Sequence, residues 1–568
     1  MAIDLPPVIP PQASTAERIE QYAALQSDNI VDVNVGDYAL RISGNRYLSS
    51  EQLQLIVNAA KTPAQAVNAL NQAYYQLGHL LVTVYFAQRD NTIFAHVING
   101  KLSEIKAPET IYPYFSGLIG DEDLQKSEFG SKQVLASLRS DRAGVDYSVS
   151  YQVAADPEAY ILVFTERPKV DHDSTEFNLS VNNFGNRFLG RYFANASVKH
   201  DFQSGIEASL SYDRALTEFG EVNGGDYYDG YTFRLNYPSS YGLYGLEARY
   251  VEYARDVVTG DEAASGDANG GLCSALLAVC DVVDGLTGID LGGLLPSGAS
   301  TNTALHLYSE TKTIALTGEQ VISSDSFQRL TTSQRLEKVD SFIDAQEFGL
   351  ALDEPHTTLE LGVKYNKLMR LFGVGTQLTG QGLLEAGLEG DGGTLGTDTR
   401  DGVVATGRRT GEFLIFKPRG SIKMALVDWA NIKWDVISQF SDNKQLPLQQ
   451  QFFLGGGSGL SAYLPGVLVG DSGVYTKFAL ESTGIPLAGF NFKPVLFVEY
   501  GHAWHEDAVG AAGEIRAIAD AGFSVKLEFD KYLESELVAA TPIYDDNLDE
   551  AALSDLEVDF FWRIKLNF

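Results

Sequence analysis

Sulfur is scarce in this chain. Among 568 residues there are 2 Cys and 3 Met, so a disulfide-stapled scaffold is excluded and two cysteines alone cannot make a zinc site. Long apolar runs are missing as well. No stretch of about 18 apolar residues occurs, which excludes a transmembrane helix but not a barrel, whose strands alternate. Basic residues are few: 42 Lys plus Arg stand against 75 Asp plus Glu, a net charge of -33. Such a surface repels phosphate backbones and argues against nucleic acid as a partner. No Walker-type phosphate loop appears, so no nucleotide is expected. Met1-Ala2-Ile3-Asp4 has neither the basic start nor the apolar core of a signal peptide. If the protein is exported, its signal has been removed and Met1 is not native.

What is abundant points elsewhere. The chain holds 55 Gly, 30 Phe, 28 Tyr and 4 Trp, with 44% hydrophobic and 21% charged residues. That composition suits a folded, multi-domain, β-rich protein rather than a disordered one. Residues 1–30 read as a Pro-rich linker (Pro6-Pro7, Pro10-Pro11) followed by a short helix from the Ser14-Thr15-Ala16-Glu17 cap, a candidate plug. Residues 31–102 read as a small α/β unit: a strand from Tyr38 to Ile42, a helix capped at Ser49-Ser50-Glu51, and a helix from Pro63 to Leu77 ended by Gly78. A hairpin follows, Leu81–Phe86 with Thr92–Ile98. Residues 103–170 look like a second, degenerate copy, with a helix near 121–138 and a closing strand at Tyr160–Phe164.

From residue 171 the periodicity changes from helical to strict alternation. Ile206/Ala208/Leu210/Tyr212, Tyr231/Phe233/Leu235/Tyr237, Leu359/Leu361/Val363/Tyr365 and Phe523/Val525/Leu527/Phe529 are separated by polar residues. The C-terminus alternates likewise through Val558, Phe560, Trp562, Ile564, Leu566 and Phe568, with Phe561 as the exception. A soluble sandwich also alternates. Two features favour a membrane barrel over 171–568: aromatic-rich apolar positions, and connections that alternate between short and long. Short ones fall at 200–204, 238–242, 322–325, 353–357 and 427–429; long ones at 214–229, 254–301, 381–411, 441–472 and 543–557. The count is about sixteen antiparallel strands, an even number that returns the C-terminus to the side of the short turns. Inward positions Arg191, Asn195, Lys199, Glu207, Arg234, Glu360, Lys364, Lys433 and Lys477 give a polar lumen.

Residues 452–473 contain Leu454-Gly455-Gly456, then Leu460-Ser461-Ala462-Tyr463, Pro465-Gly466 and Gly470-Asp471-Ser472-Gly473, with Glu481 downstream. This resembles the loop-six motif of two-partner secretion outer-membrane transporters, the TpsB family of haemolysin and filamentous-haemagglutinin transporters. Phe497-Val498-Glu499-Tyr500-Gly501 resembles the family's lumen-strand motif. Asn183-x-Gly185 with Gly190-Arg191 resembles its barrel start, and Asn236-Tyr237-Pro238 with Gly242 its second short turn. The unit ending Asn99-Gly100-Lys101-Leu102 resembles its first polypeptide-transport-associated (POTRA) domain. The resemblance implies two periplasmic POTRA domains and a barrel in the outer membrane of a Gram-negative bacterium, surrounded by its lipid, secreting an unfolded exoprotein client without a cofactor. Two positions depart from the pattern. The family's loop-six Arg is Ser461 here, and its strand Asp is Glu499. Either the Ser461 hydroxyl donates to Glu499 or another cation meets that carboxylate, with Tyr463 and Pro465 supplying packing.

Other constellations are weaker. Gly470-Asp471-Ser472-Gly473 looks like a trypsin-type nucleophile segment, but nothing marks the histidine and orienting partner a serine needs. Gly457-x-Gly459-x-x-Ala462 matches a dinucleotide fingerprint without its strand-to-helix context. His502-x-x-His505 with Glu506 could ligate a metal or could be a strand end meeting an acidic loop; no metal is expected. Acidic loops such as Asp545-Asp546 could hold calcium or be solvated surface. Cys273 and Cys280 suit a small loop disulfide, with two free thiols as the alternative. Beside the secretion pore stand an insertase or lipid-handling relative of the same superfamily and a non-secretory surface β protein. A barrel-linked lipase would need a Gly-x-Ser-x-Gly elbow, absent from residues 1–173, so no enzyme activity is expected.

Overall fold

A computed structural model of the chain describes residues 3–25, 30–156, 158–185, 191–216, 227–258, 304–345, 350–396, 408–457, 459–507, 515–546, 548, 553 and 556–568. Cys273 and Cys280 lie outside the described residues.

Two small α/β domains come first. In the first, helix Ser50–Asn58 starts at a reciprocal cap: the Gln52 N–H donates to Ser49 Oγ at 3.2 Å, and the Ser49 N–H to Gln52 Oε1 at 2.9 Å. Helix Pro63–Leu77 begins with Pro after Thr62 and ends at Gly78, whose φ of 111° is open to glycine at little cost. Both helices cover a sheet ordered Gln12–Ala13, Val82–Arg89, Thr92–Asn99, Tyr38–Ser43, Val31–Val35. Leu40, Ile42, Leu53, Leu70, Tyr74 and Val84 fill its core. The second domain has strands Lys101–Lys106, Ala159–Pro168 and Val145–Val153 in that order, with helix Lys126–Arg142 packed on them through Phe129 and Leu135. The seam falls at Gly100, two residues before the expected boundary, because Leu102 is buried in the second core.

The Pro-rich segment is not a linker. Ile3 and Ile9 are buried in the second domain's core. Helix Ala16–Leu25 lies on the first domain's sheet, with Ala16 and Ile19 against Ala87 and Phe94, and Arg89 paired with Glu20. It does not enter the barrel as a plug.

The barrel strands are β1 (Thr175–Asn182), β2 (Tyr192–Asp201), β3 (Glu207–Leu216), β4 (Tyr227–Pro238), β5 (Leu243–Val258), β6 (Ala304–Ser324), β7 (Gln328–Ala345), β8 (Leu350–Asp353 continued by His356–Leu371), β9 (Val374–Gly387), β10 (Leu414–Val427), β11 (Ala430–Ser441), β12 (Ser472–Ser482 continued by Ile485–Leu487), β13 (Phe490–Trp504), β14 (Arg516–Phe529), β15 (Leu533–Asp546) and β16 (Phe561–Asn567). All pairings are antiparallel, and β16 closes on β1, so the described residues form a closed 16-strand barrel. Both parts of β8 pair with β7, and both parts of β12 with β13, which is why each counts once.

Outward positions are apolar and exposed: Ile314, Leu316, Leu361, Val363, Phe478, Leu496, Val498 and Phe523 among them. Lumen positions carry charge that is largely paired, as in Arg335 with Glu247 at 3.0 Å, Arg234 with Glu247 at 2.6 Å and Lys433 with Asp435 at 2.9 Å. Residues 353–357 are not a turn between strands. Pro355 lacks the N–H a ladder needs and interrupts β8. Three turns escaped the sequence reading: Phe372-Gly373, Ala488-Gly489 and residues 530–532. In the first two both residues have positive φ, the geometry of a tight two-residue hairpin. Phe561 breaks the outer alternation because it is the first residue of β16 and points into a buried cluster with Phe497; Val558, in the loop before it, is in that same cluster rather than on the outer face.

Candidate functional site

Loop six, residues 442–471 between β11 and β12, folds down into the barrel. Its core is a short hairpin, Phe452–Leu454 with Leu468–Gly470. The tip turns at Gly455, Gly456 and Leu460, all at positive φ, and again at Gly466. The Gly455 N–H donates to Gly459 O at 2.8 Å and the Gly456 N–H to Tyr463 O at 2.8 Å. At Gly456 a side chain would strike Pro465. Loop six then pairs with the loop before β16: the Leu464 N–H donates to Leu556 O, and the Val558 N–H to Ala462 O, each at 2.8 Å.

The tip meets a row of charges on the barrel wall. Asp435 on β11 faces Lys477 on β12, which faces Glu499 on β13, which faces Asp520 on β14. Glu499 is fully buried. Its Oε1 accepts from Lys477 Nζ at 2.6 Å and from the Tyr475 hydroxyl at 2.8 Å, and its Oε2 from the Ser461 backbone N–H at 2.7 Å. The Ala462 N–H donates to Asp520 Oδ2 at 2.8 Å. Lys477 Nζ also sits 3.9 Å from the centre of the Phe497 ring. Two consecutive backbone amides and one lysine thus meet the carboxylates. A buried carboxylate is stable only when its lone pairs are met in this way.

Of the two alternatives for Ser461, the hydroxyl one fails. Ser461 Oγ is buried and makes no hydrogen bond. Position 461 touches Glu499 through its N–H, which any residue but proline supplies, and the cation comes from β12. Gly501 makes room for the tip: a Cβ there would lie 2.6 Å from Leu454 Cδ1. Phe497 packs on Leu464, Val538, Val558 and Phe561. Tyr463 is fully buried with its hydroxyl unpartnered, so it acts here by packing.

Asp471 ties the base of the loop. Its Oδ1 accepts from the Leu446 N–H at 2.8 Å and its Oδ2 from the Glu506 N–H at 3.0 Å. Gly470 lets the chain pass β13, where a Cβ would lie 2.5 Å from Trp504 O, and a Cβ on Gly473 would strike Phe452. The protease-like reading of this segment finds no support. The Ser472 hydroxyl donates to Glu506 Oε1 at 2.6 Å, while His505 sits 3.4 Å from Asp471 and His502 stacks on Trp504. Among the described residues no group of three or more His, Cys, Asp or Glu could hold a metal ion. A further anchor was not anticipated: Glu354, at the β8 break, accepts from the Leu448 N–H at 2.8 Å and pairs at 2.8 Å with Arg409 of loop five, the connection between β9 and β10.

The second POTRA-like domain is docked on the turn side of the barrel. Arg142 reaches Glu207 Oε2 at 3.0 Å and the carbonyls of Gly205 and Asn236 at 3.3 Å. The Tyr114 hydroxyl donates to Pro238 O, and Gly130 lies against Ser324 O. This gives the Asn236-Tyr237-Pro238 motif a physical role, since its carbonyls are the acceptors.

Residues 298–527, which include loop six and β13, match the model of the haemolysin secretion/activation protein family ShlB/FhaC/HecB. No curated protein matches the sequence. Among solved structures, CdiB from Escherichia coli superposes with a TM-score of 0.65 at 13% identity, over 95% of this chain and 91% of that one. CdiB from Acinetobacter baumannii gives 0.58 at 15% identity, over 95% and 90%. In its closed barrel, its paired α/β domains and its matching segment, the chain resembles the outer-membrane β-barrel transporters of two-partner secretion.

Proposed function

We propose that this protein is an outer-membrane secretion pore without catalytic activity. Its POTRA-like domains face the periplasm and receive an unfolded exoprotein, and the barrel conducts that client to the cell surface. The observation that carries this reading is the pairing of a polar lumen with two sheet-bearing domains fixed at one end of it. The lumen holds a cavity of about 570 Å³ lined by Lys364, Gln381, Arg419, Lys433 and Lys477. Polar walls with paired charges offer an extended chain hydrogen bonds without a deep well to trap it. Open sheet edges bind extended chains through backbone hydrogen bonds. Loop six lies across the path and must shift for a chain to pass, and its amide and lysine contacts are the ones that would break.

The test is export. Co-expression with the large β-helical exoprotein of a neighbouring reading frame should place that protein outside the cell, and a chain lacking residues 31–168 should not do so. Equal export with and without the chain would overturn the reading. Orientation has its own check: protease added to intact cells should cut between β5 and β6 or between β9 and β10 and spare 31–168.

A further inference from the structure

Residues 3–14 run along both POTRA-like domains in a repeating way. Ile3, Pro6 and Ile9 are buried, while Asp4, Pro7 and Pro10 are exposed. Burial at every third residue is what a left-handed polyproline helix shows when one face lies in a groove. The groove's polar side chains meet the segment's carbonyls, while Ile3 and Ile9 sink into the second domain's apolar core. Gln133 Nε2 donates to Ile3 O at 2.6 Å and the Tyr75 hydroxyl to Pro6 O at 2.8 Å. Asn71 Nδ2 donates to Ile9 O at 2.5 Å and Thr83 Oγ1 to Pro10 O at 3.1 Å. Every residue has a carbonyl, so the polar contacts accept many sequences, and the buried positions ask only for an apolar side chain at every third residue.

Both ends of the segment sit on sheet edges, each of a different domain. Gln12 and Ala13 pair in parallel with Tyr85 and Phe86 of Val82–Arg89, and the Ser14 N–H donates to Phe86 O at 2.8 Å. Ile3 bridges Tyr147 of Val145–Val153, and the Asp4 N–H donates to Tyr147 O at 3.2 Å. These edges are 8 and 9 residues long, so most of each lies beyond the segment's pairing. Pro6, Pro7, Pro10 and Pro11 have no N–H and cannot extend either ladder. Asn71 is 1% exposed, and its Oδ1, the other end of the amide that holds Ile9, has no partner. An extended chain that kept its N–H groups could use that acceptor and more of both edges.

We propose that this groove is a binding site for extended polypeptide spanning both domains, that residues 3–14 occupy it in the resting protein, and that an incoming unfolded chain displaces them. The segment is then an internal competitor that keeps two open edges from pairing with the wrong strand. The identity of the incoming chain as the exported client rests on the secretion reading; the groove itself does not.

Three full-length forms in detergent, all with Cys273→Ser and Cys280→Ser, test this. One is otherwise unchanged, one lacks residues 3–13, and one carries Gln12→Cys with Tyr85→Cys, a pair that faces directly in the register. The probe is a fluorescent peptide with the sequence of residues 3–14, read by anisotropy. The shortened form should bind it. The unchanged form should bind on the order of tenfold more weakly or worse, because a tethered segment competes at high effective concentration. The oxidised double-cysteine form should not bind, and reduction should return it to the level of the unchanged form. A probe with valine at its four proline positions should bind the shortened form more tightly. Two results would overturn the proposal: equal binding by the oxidised and reduced forms, or no binding by a shortened form whose barrel still migrates as folded in unheated gels and whose strands Thr92–Asn99 and Ala159–Pro168 keep their protection from hydrogen exchange. Failure of export by the unchanged form, with peptide binding intact, would strike the client reading and leave the groove standing.

Discussion

The POTRA-like pair and the barrel solve the same burial problem in opposite senses. In the small domains the apolar side chains Leu53, Tyr74, Phe115 and Phe129 are inside, and charges such as Arg41 with Asp32 are outside. In the barrel Leu316, Phe478 and Leu496 face outward, while Lys477, Glu499 and Asp520 are within. Near loop six the barrel adopts the first solution as well, gathering Leu454, Leu460, Tyr463 and Tyr475 into a buried apolar cluster inside the wall. A lumen meant to stay wet has no reason to hold such a cluster. The difference teaches that loop six is packed like a domain core and anchored like a lumen residue, so its release must break both kinds of contact.

That contrast can be broken deliberately. The largest effect is expected from Lys477→Met, which leaves the buried Glu499 without its cation. Removing one partner of a buried pair costs about 3–5 kcal/mol, here concentrated in loop six, and limited proteolysis of the purified protein should show early cutting within 442–471. Next comes Leu496→Arg, near the middle of β13 on the outer face, at about 2–4 kcal/mol in lipid. Gln381→Glu, a charge placed in the lumen beside Lys364 and Arg419, should stay within about 0.5 kcal/mol. Urea titrations of the two variants in vesicles separate the faces.

The third prediction concerns acid and only the first α/β domain. Burial pushes the His96 imidazole down from 6.5 to about 4, with Tyr22 stacked on it and Ser43 Oγ 2.9 Å from Nδ1. The unfolded chain takes up that proton near pH 6.5 and the folded domain only near 4. Stability is therefore complete above 6.5 and falls as pH drops between those values, by up to about 3 kcal/mol. Hydrogen exchange in Thr92–Asn99 should accelerate across that window, and His96→Gln should flatten the response. Ser461→Ala should have the smallest effect, near zero, because the lost hydroxyl bonds to nothing and the N–H that holds Glu499 stays. A large loss of loop-six protection in that variant would contradict the backbone lock.

Much of the architecture was legible because alternation and capping are local. Thr62-Pro63 and Gly78 bracket a helix by themselves, and the parity of Phe523, Val525 and Leu527 already places Asp520 and Lys526 inside. Glu499 could be assigned to the lumen on the same ground. What could not be read was which donor meets it. Side-chain chemistry drew attention to the Ser461 hydroxyl, whereas the contact is a backbone N–H, and backbone groups are identical at every position. Lys477 was visible as a lumen residue, but its partner depends on register across β12 and β13, which turn lengths set. Glu354 and Arg142 bridge elements far apart in sequence and leave no local signature. The segment 3–14 misled for a related reason: prolines prevent regular pairing, yet a polyproline helix needs no internal hydrogen bonds to lie in a groove.

The interruption of β8 at Pro355 has a mechanical consequence. It places the Glu354 carboxylate where it grips both loop five and loop six, while the tip of loop six grips β13 and β14. Loop six is therefore a strut between separated parts of the wall, tied at both ends by carboxylates on different strands. A strut of this kind braces the cross-section as well as filling it. Freeing either end would remove one of the ties that join β8 to β13 and β14 across the lumen.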